Sequence, residues 1–190
     1  MQKHYDSKER FLLECHTLQT RECLLTELGR RMKQTLMELV RQVRGHTLRL
    51  LEIEDAPWQR WSPAGTSNHY VWHAGHILWG QDLLSIQALG QPSELSVGWA
   101  EKFGEKCQPV TATIQWPLIS ELRELLGRQQ NRILELLDDA EEALSKPSEQ
   151  PLATGWPLLE GIVHACHDEA RHQGEMYLLY KMTRSAGEQS

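Results

Sequence analysis

Apolar residues recur along this chain at helical intervals, with almost no strand-like alternation. Phe11, Leu12, Cys15, Leu18, Leu25 and Leu28 fall in phase and predict a helix over residues 7–29, with Gly29 either ending it or passed over. Leu36, Leu39, Val40, Val43, Thr47, Leu50 and Leu51 predict a second helix over 32–54. Pro57, Pro63 and Gly65 mark a loop, after which Thr66, Ser67 and Asn68 offer an N-cap. The next helix spans 69–89 and stops at Gly90, with Pro92 just beyond. Residues 91–116 have no clean period and read as a long connection with short helical pieces around 97–103. Leu118, Leu122, Leu125, Leu126, Gln129, Ile133, Leu136 and Leu137 predict a helix from Pro117 to about Asp139. After a loop holding Pro147 and Pro151, the last helix runs from Pro157 to about Met182.

The pattern is all-α. Four long helices form a bundle over residues 34–182, preceded by a helical extension over 1–33 and followed by a polar, frayed tail over 183–190. Composition adds little to this. The chain has 190 residues, 40% hydrophobic and 24% charged, with a net charge of −6. That acidic balance gives no basic footprint for nucleic acid. No apolar run is long enough to span a membrane, and the polar N-terminus does not resemble a signal peptide. Cys15, Cys23, Cys107 and Cys166 are scattered and read as reduced thiols of a cytoplasmic protein, with Cys166 as a small buried apolar residue.

The chemistry lies on the last helix. His164, Asp168, His172 and Glu175 form one polar stripe on a segment otherwise built for a core. Asp168 and His172, four apart, can grip one metal ion from adjacent turns. A third ligand must come from another helix, and either His73 or His76 of the segment Trp72-His73-Ala-Gly75-His76-Ile-Leu-Trp79 can supply it. Two imidazoles and a carboxylate with an open position suit catalytic zinc, and equally non-haem iron(II). Along the stripe, His164 fits a substrate contact or a partner of Asp168. Glu175 fits an acceptor for a ligand imidazole or a general base. His167 and Glu169 fall off the stripe and are expected to be exposed. Arg171 fits an anionic cofactor or substrate, or a simple pair with a nearby carboxylate.

The segment from Asn68 to Trp79, the Ala88-Leu89-Gly90 after it, and Trp99-Ala-Glu-Lys-Phe103-Gly104 together resemble the DinB/YfiT-like superfamily over residues 36–182. The resemblance implies a four-helix bundle whose metal is held by three residues. One comes from the second helix and two from a His-x-x-x-His spacing on the last. His76 matches the first, after the Trp-His-x-Gly frame, and His172 matches the last, two residues before Gly174. Asp168 stands where the first histidine of the pair is usual; a carboxylate occurs there in the mycothiol-dependent maleylpyruvate isomerase branch. Glu175 replaces a common Gln. The implied activity is metal-dependent thiol transfer or isomerisation. Its cofactors would be a divalent metal, zinc first with nickel or iron also fitting, and a low-molecular-weight thiol such as mycothiol, bacillithiol or glutathione. A homodimer acting on a small-molecule substrate is the implied assembly. A hydrolase using metal-bound water and a non-catalytic stress protein are the alternatives, the last requiring a fourth protein ligand.

Overall fold

A computed structural model describes residues 7–107, 109, 115–140, 144 and 157–187 of the chain, with side chains from residue 26 to residue 184. The described residues form helices joined by turns, with no strand. Helix α1 spans Ser7–Leu50, α2 Tyr70–Gln81, α3 Trp99–Phe103, α4 Ile119–Asp139 and α5 Leu158–Gly187. The four long helices, α1, α2, α4 and α5, make the bundle. The two helices expected at 7–29 and 32–54 are a single rod, because Gly29 costs a helix only about 1 kcal/mol and nothing nearby breaks it. Helix α5 continues to Gly187, five residues into the stretch read as a tail.

The bundle core has two apolar clusters. Leu51, Tyr70, Val71, Ile77, Leu78, Ile119, Leu122, Leu126 and Met176 fill one end. Leu36, Val40, Ile86, Ile133, Leu137, Ile162 and Cys166 fill the other. Cys166 is the small buried residue expected; burial, then the nearby Glu169 charge, pushes its thiol up to about 11.

Between the clusters lies a buried polar network. The Arg44 guanidinium of α1 donates to both carboxylate oxygens of Glu169 on α5, at 2.8 and 3.0 Å. It also donates to the Leu126 carbonyl and to Gln129 of α4. Thr47 and Gln81 give Glu169 two further hydrogen bonds. Glu169 is thus 1% exposed, against the expectation that it faces water, while His167 is exposed as expected. A carboxylate leaves water at this depth only where donors replace its hydration, and here four do.

Helix α2 begins at His69 rather than in the Thr66–Asn68 stretch. His69 takes the extended N-cap conformation and its Nδ1 accepts from the Trp72 N–H at 3.1 Å, the role an Asp or Asn oxygen usually has. At its other end α2 passes into a π-helical turn, Asp82–Ile86, and a 3-10 turn, Gln87–Leu89. Gly90 closes the segment with φ 79°, a left-handed C-cap that favours glycine.

Candidate metal centre

The packing of α3 on α2 prepares the centre. A Cβ on Gly75 would stand 2.1 Å from the Phe103 ring, so only glycine lets that ring lie against the helix. The Trp99 indole N–H donates to the Gly75 carbonyl at 3.1 Å and fixes α3 in place. Docked this way, Phe103 turns its carbonyl oxygen towards His76, whose Nδ1 is 2.6 Å away. A carbonyl only accepts, so Nδ1 carries the ring proton and Nε2 keeps its lone pair. The Trp72 ring stacks on the imidazole, 4.6 Å between centroids, and limits its rotation.

His76 Nε2 points at the last helix. It lies 3.7 Å from Asp168 Oδ2, and His172 Nε2 lies 3.4 Å from the same oxygen. These three donors fall within 4.8 Å of one another. His172 Nε2 is buried and has no hydrogen-bond partner. Such an orphan is costly in a protein interior, and a cation among the three donors removes the cost. The residues present therefore fit a metal ion. Among the described residues no fourth donor joins this set.

The other nitrogen of His172 faces a second trio. His73 Nδ1 is 2.9 Å from His172 Nδ1 and 3.1 Å from Glu175 Oε2, and the last two atoms are 3.5 Å apart. Spacing along α2 left His73 and His76 interchangeable. The fold separates them, one histidine to each edge of the His172 ring.

Electrostatics keep these groups in their ligating forms. Burial first, then the neighbouring His172, pushes His76 down to about 4 despite its bond to Phe103 and the Asp168 charge. Burial, with His172 and His76 close by, brings His73 to about 3. Burial opposes ionisation of Asp168, but His172, Arg171 and His76 outweigh it and lower the carboxyl to about 2. At neutral pH both α2 histidines are neutral and Asp168 is charged, as metal ligation requires.

Asp168 uses its second oxygen to hold Arg171, at 2.7 Å. Arg171 is largely exposed, and its observed partner is this carboxylate. The centre opens on a cavity of about 500 Å³ walled by Trp72, Trp79, Leu83 and Leu84. His164, exposed one turn before Asp168, sits at its rim with Glu105, Arg171 and Glu175, and belongs to neither donor trio. Of the tryptophans beside loops, Trp61 is exposed, Trp58, Trp99 and Trp116 are half-buried, and Trp156 lies outside the described residues.

The supporting role of Phe103 was not visible from spacing, since a backbone carbonyl carries no side-chain signal. A model of the DinB superfamily matches residues 39–176. The chain belongs to that superfamily, and the match runs from the C-terminal part of α1 to Met176 on α5. No curated protein matches it. No described helix is long and apolar enough to cross a membrane.

Proposed function

We propose that this protein is a metal-dependent enzyme that transfers or isomerises through a low-molecular-weight thiol, with His76, Asp168 and His172 as the metal ligands. One observation carries the reading. Three converging donors, one a buried nitrogen without a partner, stand at the mouth of a roomy cavity with no fourth donor beside them among the described residues. Structural zinc sites are closed by four protein ligands, while catalytic sites keep a position free. When bound, a divalent metal there would stabilise a thiolate and lower the pKa of its thiol. Two nitrogens and one oxygen suit zinc, and also nickel or iron(II).

The chain's own groups divide the remaining work. Asp168 is held by Arg171 through Oδ1, so Oδ2 stays turned to the histidines. The outer face of the Arg171 guanidinium is available to a carboxylate of an acidic thiol such as glutathione. His164 and Glu175, at the rim, are the candidate proton carriers for a substrate in the cavity. Trp72, Trp79, Leu83 and Leu84 would cover an apolar electrophile and exclude water. Exposed Tyr177, Leu178 and Met182 on α5 are apolar surface suited to the second copy of a homodimer.

Elemental analysis of the purified protein tests the metal, and a glutathione-conjugation assay with a panel of small electrophiles tests the chemistry. The expected result is bound divalent metal in the wild type, near-complete loss from that centre in His172→Ala, and thiol-dependent turnover that disappears with the metal. Metal-free wild-type protein, or turnover of an ester without any thiol, would overturn the reading.

A further inference from the structure

We infer that His73, His172 and Glu175 form a second site for a divalent transition-metal ion, on the opposite nitrogen of the imidazole that serves the first. The three donor atoms, His73 Nδ1, His172 Nδ1 and Glu175 Oε2, are separated by 2.9, 3.1 and 3.5 Å. Donors bound to one zinc ion at about 2.0–2.1 Å in tetrahedral array stand roughly 3.3 Å apart. The triangle is therefore close to ligand spacing on every edge. Both histidines are buried at 3% exposure, and Glu175 reaches in from the half-exposed side.

These three atoms lie close enough together that a single cation can take a lone pair from each of them.

Binding at this site is coordination alone, and no oxidant or reductant takes part. A cavity walled by Pro63, Thr66, Asn68, Leu178 and Met182 reaches His73 and Glu175 and opens this site to solvent.

The experiment uses apo full-length protein titrated with Zn²⁺ against a chromophoric chelator, and with Co²⁺ followed by its visible absorption. His76→Ala/Asp168→Asn removes the first site only, and this variant should still bind about one ion per chain. Adding His73→Ala to it should abolish that binding. In otherwise wild-type protein, Glu175→Gln should weaken one of two ions at least tenfold and leave the other unchanged. Circular dichroism checks that each variant is folded, and Glu175→Gln, at a half-exposed position, tests the idea even where the double variant is unstable. A folded His76→Ala/Asp168→Asn protein without bound ion, or wild-type stoichiometry of one that Glu175→Gln does not alter, would sink the second site. One ion lost with His73→Ala but retained in His76→Ala would support it while sinking the first, so the two readings fail separately.

Discussion

His76 Nδ1 lies 2.6 Å from the carbonyl oxygen of Phe103, and this bond ties the aim of a candidate ligand to the seating of a short helix 27 residues away. The seating depends on Gly75, whose absent Cβ is the space the Phe103 ring occupies. Gly75→Ala should therefore displace α3, destabilise the protein by about 1–3 kcal/mol through overpacking, and weaken metal binding about 10–100-fold by releasing His76. Gly127→Ala on α4 is the contrast. Its Cβ meets nothing within 4 Å, so it should stabilise the helix by about 0.5–1 kcal/mol and leave metal affinity unchanged. Urea unfolding and chelator competition on the two variants check both halves. Equal effects would show that Phe103 does not govern His76.

The Arg44–Glu169 pair makes a different kind of claim. Both side chains are at least 98% buried, and each has neutral donors or acceptors besides its partner. Glu169→Gln should cost about 3–5 kcal/mol in urea unfolding, because Arg44 is left charged and unpaired. Arg44→Met/Glu169→Met should recover only part of that loss, since apolar replacements avoid the desolvation of ions but leave buried Thr47, Gln81 and Gln129 without these hydrogen bonds. A loss under about 1 kcal/mol in Glu169→Gln would mean that water or a shift of the helices rescues Arg44.

Much of this molecule was legible in its sequence for a physical reason. Helical period and the four-residue spacing of Asp168 and His172 are local properties, written in consecutive residues. They located the bundle helices within a few residues and placed two ligand candidates on one face of α5. What escaped was non-local. Glu169 looks like a surface carboxylate until Arg44, 125 residues earlier, is known to sit opposite it. His73 and His76 look equivalent on α2, and only the position of the His172 ring between them sends one to each nitrogen. His69 as N-cap was missed because imidazole seldom takes that role, whereas Thr66, Ser67 and Asn68 are the expected residue types.

Asp168, a proposed metal ligand, should be more sensitive to an isosteric change than the arginine that holds it. Its carboxyl is held at about 2, so it is charged throughout the range in which the protein is handled. Asp168→Asn keeps the shape and removes the charge, and should weaken metal binding more than about 100-fold, beyond the 10–100-fold typical of groups that only support a ligand. Arg171→Gln removes such a support, the 2.7 Å bond that fixes Oδ1, and should cost about tenfold. Chelator competition at pH 7 ranks the two. A larger effect from Arg171→Gln would mean that the carboxylate serves to place the arginine.

Acid stability offers a test that needs no metal. His69 is buried against Trp116, 4.6 Å between ring centroids, and burial, then the Arg60 charge, pushes it down to about 4 from an ordinary 6.5. Between those values the unfolded chain binds a proton at this residue that the folded chain does not. Folding stability must then fall as pH drops. The contribution is complete above about 6.5, is lost progressively below it, and is gone once the pH has passed about 4. Each pH unit separating the folded and unfolded titrations is worth about 1.4 kcal/mol, so this residue contributes at most about 3 kcal/mol. His73 and His76 add losses of the same sign in apo protein. His69→Asn isolates the first contribution, because asparagine caps a helix well and does not titrate. Urea unfolding of apo wild type and variant at pH 7.5 and pH 5 should show the variant losing less stability on acidification, by about 1–2 kcal/mol. Parallel losses in the two proteins would mean that the folded chain protonates His69 as readily as the unfolded one.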